Sequence, residues 1–134
     1  MSVHIIDASA ITALLRAEAG GEIVRSLLSN PDAVCYAHSV NLCEVYYDTI
    51  RISSRRQASL AINTLYKDGL IERRDMSRKF WHQVGDLKAR GRISIADCFC
   101  IVLAQELGGE VVTADHHELD AVAALNIVPI RFIR

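Results

Sequence analysis

Four carboxylates in this chain sit where an apolar run gives way to small and polar residues. They are Asp7 in HIIDASAI (4–11), Glu44 in SVNLCEVYY (39–47), Asp97 in RISIADCFC (92–100) and Asp115 in VVTADHHEL (111–119). Each alone is explained by a helix cap. Asp7 fits as a cap for the helix-forming run behind it, and Asn41-x-x-Glu44, Ser94-x-x-Asp97 and Asp115-x-x-Glu118 each have the spacing of a capping box. A cap contributes about 1 kcal/mol, and an acid in a first helical turn also suits the helix dipole. Together, the four predict something that caps do not need. Carboxylates at close range repel, which is costly unless a cation lies among them. Oxygen ligands with no His or Cys at ligand spacing suit Mg²⁺ or Mn²⁺. An ion so held activates water and steadies the charge of a phosphodiester under attack. Ser9 and Thr113 each stand two residues from an acid, Asp7 and Asp115. Their hydroxyls either orient the carboxylate or a water beside it or simply close a turn.

Convergence of the acids depends on the elements that carry them. Short β-rich apolar runs, VHII (3–6), VCYA (34–37), LIER (70–73), EVVT (110–113) and one near IVPIRF (127–132), alternate with helical patterns. The helices are expected at 9–29 (broken by Gly20-Gly21), 39–49, 54–68, 76–89, 94–107 and 116–124. This alternation argues for an α/β domain with a parallel sheet covered by helices. In such a sheet the helix N-termini after each strand point to one edge, where ligands bind. Asp7 and Asp115 follow strands, and Glu44 and Asp97 fall near helix starts, so all four are expected at that edge. The helix at 94–107 is apolar nearly all round and should be deeply buried, ending at Gly108-Gly109.

Bulk properties narrow the alternatives. With 134 residues, 51% hydrophobic and a net charge of −1, the chain has a core of ordinary size and no global pull toward nucleic acid or membrane. Charge is unevenly spread: residues 51–92 hold eleven of the fifteen Lys and Arg but only four of the sixteen Asp and Glu. The chain opens on a strand pattern rather than a signal peptide, and its longest apolar run, CFCIVLA (98–104), is too short to span a bilayer. Cys35, Cys43, Cys98 and Cys100 lie in apolar segments without C-x-x-C spacing, which gives no support to a zinc ribbon or thioredoxin motif and predicts buried free thiols. These features suggest a cytoplasmic protein with no membrane association. His4, His38 and His82 are scattered, giving little support to Ser-His or Cys-His catalysis. The Asp7-x-Ser9 pair lacks the second Asp of an aspartyl-phosphate phosphatase. Lys88, Arg90 and Arg92 in KARGR directly precede the helix of Asp97, where they could grip the phosphates of a phosphodiester substrate.

The ordered set IIDASAI, VNLCEVYY and ISIADCFCIVLAQELGGEVVTAD resembles PIN-domain ribonucleases, specifically the VapC-type toxins of toxin–antitoxin pairs. The resemblance spans nearly the whole chain and implies one PIN domain over 1–134. It implies a parallel sheet of order 3-2-1-4-5 with helices on both faces. It also implies that Asp7 and Asp97 are the principal ligands of Mg²⁺ or Mn²⁺, with Glu44 and Asp115 in support. Ser9, Thr113 and Asn41 match the family's polar positions around the acids. The activity implied is endoribonucleolytic, leaving 3′-hydroxyl and 5′-phosphate ends. A homodimer and an antitoxin that wraps the toxin are the partners expected. His116-His117 departs from the family, which often has Pro or a small residue there. The competing reading is a non-catalytic PIN-like module that binds RNA or a partner and uses its acids as caps.

Overall fold

The computed structural model describes residues 1–134. Five parallel strands, β1 (Ser2–Ile6), β2 (Ala33–His38), β3 (Ile71–Arg73), β4 (Glu110–Thr113) and β5 (Ile130–Phe132), form one sheet in the order β3-β2-β1-β4-β5. Seven helices connect and cover them: α1 (Ala8–Leu15), α2 (Gly21–Ser29), α3 (Ser39–Ile52), α4 (Arg55–Lys67), α5 (Arg78–Arg90), α6 (Ile95–Leu107) and α7 (His116–Ala124). The expected order 3-2-1-4-5 is therefore observed. It makes β1 and β4 neighbours, with Ile6 opposite Val112, so the residues that follow those strands emerge side by side.

Strand residues are buried on both faces, as parallel strands require. Ile5 and Val111 face a cluster with Phe80, Leu87, Ile101 and Val122, contributed by α5, α6 and α7. Ile6, Cys35, Ala37 and Val112 face the opposite cluster with Ile11, Val24, Leu42 and Leu65, from α1 to α4. The period-2 alternation of β1 thus divides its side chains between two cores. Helix α6 carries an unbroken buried run from Cys98 to Ala104, matching its all-apolar sequence. Two glycines end it for different reasons. Gly108 takes a left-handed conformation with φ of 65°, whereas a Cβ on Gly109 would stand 2.7 Å from the Val3 carbonyl oxygen. No helix is long and apolar enough to cross a membrane.

Two expectations need correction. Helix α3 begins at Ser39 and is capped by His38, whose Nδ1 accepts the Val40 N–H at 3.1 Å. Glu44 therefore lies in the second turn, and Asn41-x-x-Glu44 is not a capping box. Of the cysteines, Cys35, Cys98 and Cys100 are buried, but Cys43 is exposed because it falls on the outer face of α3.

Candidate functional site

Asp7 ends β1 and is only 2% exposed. Its N–H continues the ladder to the Val112 carbonyl at 3.0 Å. Its Oδ1 accepts the Ala10 N–H at 2.9 Å and the Ser9 hydroxyl at 2.7 Å, so it does cap α1. Ser9 in turn accepts the Ala114 N–H at 2.9 Å and lies 3.2 Å from the Thr113 hydroxyl, which accepts the Asp115 N–H at 3.0 Å. One chain of hydrogen bonds thus runs from Asp7 through Ser9 and Thr113 to Asp115, across the β1–β4 boundary. The two readings of these hydroxyls coincide: Ser9 fixes a carboxylate, and Thr113 closes the turn after β4.

Asp115 caps α7, accepting the N–H groups of His117 at 2.9 Å and Glu118 at 3.4 Å. The Glu118 carboxylate reaches away from its own helix and accepts the Ser94 N–H at 3.2 Å, while the Ser94 hydroxyl accepts the Asp97 N–H at 3.2 Å. As a result, carboxylate oxygens of Asp97, Asp115 and Glu118 lie within 4.8 Å of one another. Two of the four acids singled out in sequence belong to this group, and Glu118 joins them. Its placement three residues after Asp115 was the available signal, since residues so spaced share a helix face. Asp7 and Glu44 stand outside the group but within its field. Fully buried Asn41 donates to Glu44 Oε1 at 3.4 Å and to the Ala96 carbonyl at 3.2 Å, bridging α3 to the start of α6.

Electrostatics record the crowding. Asp97 is pushed up to about 8, first by burial, then by its hydrogen bond with Glu118 and the charges of Asp7 and Glu118. Glu118 is correspondingly lowered by that hydrogen bond, so the pair shares one proton. Asp7 is raised by burial, against hydrogen bonds from Thr113, Ala10 and Ser9, and the charge of Asp115 adds to the rise. Glu44 is also raised, chiefly by burial, with Asn41 opposing and Asp7 among the charges that raise it further. No Lys or Arg forms an ion pair with any of these five acids, although Arg51, Arg73, Arg74, Arg131 and Arg134 pair with carboxylates elsewhere. The Asn41 Oδ1 is also buried without a partner. Such an all-oxygen, uncompensated donor set fits a hard divalent cation such as Mg²⁺ or Mn²⁺.

The basic residues before α6 divide. Lys88 donates its Nζ to the Ile93 carbonyl at 2.7 Å, pinning the loop that leads to Asp97. Arg90 and Arg92 are exposed and line a cavity of about 320 Å³ together with His117 and Glu118. His116 bonds Asp120 at 2.8 Å and the Arg134 carbonyl at 2.7 Å, and stacks on Phe132, so it anchors the end of the chain.

A serine–histidine–carboxylate line does exist at the opposite edge of the sheet. His4 lies 2.8 Å from the Ser2 hydroxyl and 2.6 Å from Glu110. Glu110 is shared with Arg131 at 2.8 Å. The neighbouring Gly108 and Gly109 N–H groups are spent on α6 carbonyls, leaving neither as an oxyanion donor. The arrangement reads as a clamp between β1 and β4.

Comparison with curated proteins finds no match. Among solved structures, the fold is similar to that of VapBC2 from Rickettsia felis bound to a promoter DNA fragment, with a TM-score of 0.74, 14% identity and 97% and 98% of the two chains covered. VapBC from Salmonella typhimurium, also bound to DNA, gives 0.74 and 14% with both chains fully covered. VapC20 from Mycobacterium tuberculosis, a toxin that cleaves the sarcin–ricin loop, gives 0.72 and 18% over 88% and 94%. The family model described as PIN domain matches residues 4–125, and with most of its length covered this chain belongs to the PIN-domain family.

Proposed function

We propose that this protein is a divalent-metal-dependent endoribonuclease and the toxin of a two-protein toxin–antitoxin pair. The observation that carries the reading is the acidic cluster itself: Asp97, Asp115 and Glu118 within 4.8 Å, with Asp7 and Glu44 in the same field and no Lys or Arg in an ion pair with any of them. Helix caps account for Asp7 and Asp115 one by one, and the Ser94 N–H for Glu118, but none of these bonds requires three carboxylates to lie so close together. Asp97, Asp115 and Glu118 would hold Mg²⁺ or Mn²⁺, with Asp7 and Glu44 as further oxygen donors. When bound, the ion supplies activation of water and stabilisation of charge on a phosphodiester.

The rest falls to the chain's own residues. Ser9 and the Ala10 N–H hold Asp7 Oδ1, so this carboxylate keeps one orientation. Asn41 fixes Glu44 against the first turn of α6. The proton shared by Asp97 and Glu118 leaves when the cluster is neutralised by a cation, so metal uptake is linked to proton release. Arg90 and Arg92 supply positive charge beside the acids, drawing in a phosphate backbone despite the net charge of −1.

RNA as substrate is supported by the similarity to VapC20, which cleaves an RNA loop. An antitoxin partner is supported by the VapBC complexes. The homodimer, the cytoplasmic setting and ends bearing 3′-hydroxyl and 5′-phosphate remain part of the same reading. Purified protein should be incubated with total RNA in Mn²⁺ or in EDTA, and the new ends sequenced. Cuts confined to the Mn²⁺ sample and carrying 5′-phosphates support the proposal; identical RNA in both samples contradicts it.

A further inference from the structure

The cavity between the α5–α6 connection and α7 is unexplained by the metal cluster. Its volume of about 320 Å³ falls within the range of pockets for small organic groups, about 300–1,000 Å³. The floor is apolar: Leu87, Ile93 and Val122 are buried there. Leu125, at the rim, is 66% exposed, a large apolar surface that no packing within this chain covers. Glu118 belongs both to this wall and to the acidic cluster, so the cavity opens directly beside the proposed metal site.

We infer that this cavity is a nucleobase pocket, seating one base of a single-stranded RNA next to the phosphodiester presented to the acidic cluster. The inference rests on the ribonuclease reading for its substrate. Charge selects the occupant. Arg90 and Arg92 line the cavity and form no ion pair, whereas five other arginines do. A guanidinium binds phosphate oxygens and also stacks on a base, and the His117 imidazole offers a second stacking surface at the same rim. Between the two arginines Gly91 is extended, and a Cβ there would meet nothing within 4 Å, which leaves open space at the entrance. An apolar floor, planar cations at the rim and a phosphate-cleaving centre at one wall together describe a nucleotide. An acidic peptide would place its carboxylates against Glu118.

Ala121 is exposed and lines the cavity, so Ala121→Phe fills it without entering the core. Binding of a fluorescently labelled single-stranded RNA of mixed sequence should be compared with that of an abasic ribose-phosphate chain of equal length. EDTA keeps metal-dependent cleavage out of the measurement. Wild type should prefer the base-bearing strand, and Ala121→Phe should lose about tenfold in affinity for it while binding the abasic strand unchanged. Leu125→Ala, at an exposed position outside the core, should show the same selective loss to a smaller degree. The inference is overturned if wild type binds both strands equally, or if both variants keep wild-type affinity for RNA. It is equally overturned if an apolar peptide, and not RNA, is what the filled cavity excludes. Base-dependent binding by a protein that cuts no RNA in Mn²⁺ would sink the ribonuclease reading and leave the pocket standing.

Discussion

In metal-free protein, Asp97→Asn should raise stability near neutral pH rather than lower it. The Asp97 carboxyl is pushed up to about 8, so between about pH 4 and pH 8 the folded protein keeps a proton that the unfolded chain releases. A folded-state value above the unfolded one contributes stability that is complete in acid and is lost as pH rises toward 8, at about 1.4 kcal/mol per pH unit. Acting alone from pH 4 to pH 7, Asp97 would cost the fold about 4 kcal/mol. Two effects shrink that figure. Asp97 is only partly buried, so solvent screens its charge, and Glu118 is shifted the opposite way by the shared proton. About 1–2 kcal/mol should survive. Asn can still donate to Glu118, as the protonated carboxyl does, so little is set against that gain near neutral pH. The net gain is roughly 1 kcal/mol, or about 3–4 °C for a chain of this size. Melting curves in EDTA at low salt, from pH 5 to pH 8, read it directly: the variant's advantage should widen as pH rises. Mn²⁺ at one hundred times its Kd should then stabilise wild type by about 2.7 kcal/mol and the variant much less. A variant that melts below wild type at every pH in EDTA, and gains equally from Mn²⁺, would make Asp97 a cap and nothing more.

Glu118→Gln should raise the Kd for Mn²⁺ by at least about tenfold by calorimetric titration, whereas a surface acid such as Asp86 should tolerate the amide without effect. Asn41→Leu removes the bond from α3 to the Ala96 carbonyl of α6 and the bond to Glu44 within α3, and should cost about 1–3 kcal/mol in urea denaturation, with Glu44 released from its fixed position. In bacteria, wild-type protein produced alone should slow growth and Asp97→Asn should not; equal toxicity of the two would favour a binding role over cleavage.

Much of the scaffold was legible because its signals are local. Alternation in VHII and EVVT, the apolar run of α6 and the glycine pair behind it each point to one conformation, and each element forms where that pattern lies. The order of strands is not a local property. It came from resemblance, and with it the adjacency of β1 and β4 that brings Asp7 beside Asp115. Glu44 was placed a turn too early because a histidine, rather than the Asn that looks like a cap, starts α3. Cys43 was expected inside because its neighbours Leu42 and Val45 are buried, yet a helix in contact on one side turns its next residue outward. Glu118 was hidden by a sufficient local explanation. Its spacing from Asp115 spells a capping box, and only the fold reveals that its partner is the Ser94 N–H, 24 residues away. Lys88 was read as a phosphate grip, but the carbonyl it holds, Ile93, becomes available only once the loop before α6 is folded.

The central claim is that acids gathered at the carboxyl edge of the sheet make this protein a metal-dependent ribonuclease. The most direct test is the single-turnover cleavage rate of one RNA in Mn²⁺, with wild type, Asp7→Asn and Asp97→Asn at equal concentration, each confirmed folded by circular dichroism. The account predicts cleavage by wild type that EDTA abolishes, and a loss of at least about a hundredfold in each variant. Wild-type rates in both variants, or cleavage that persists in EDTA, would contradict it.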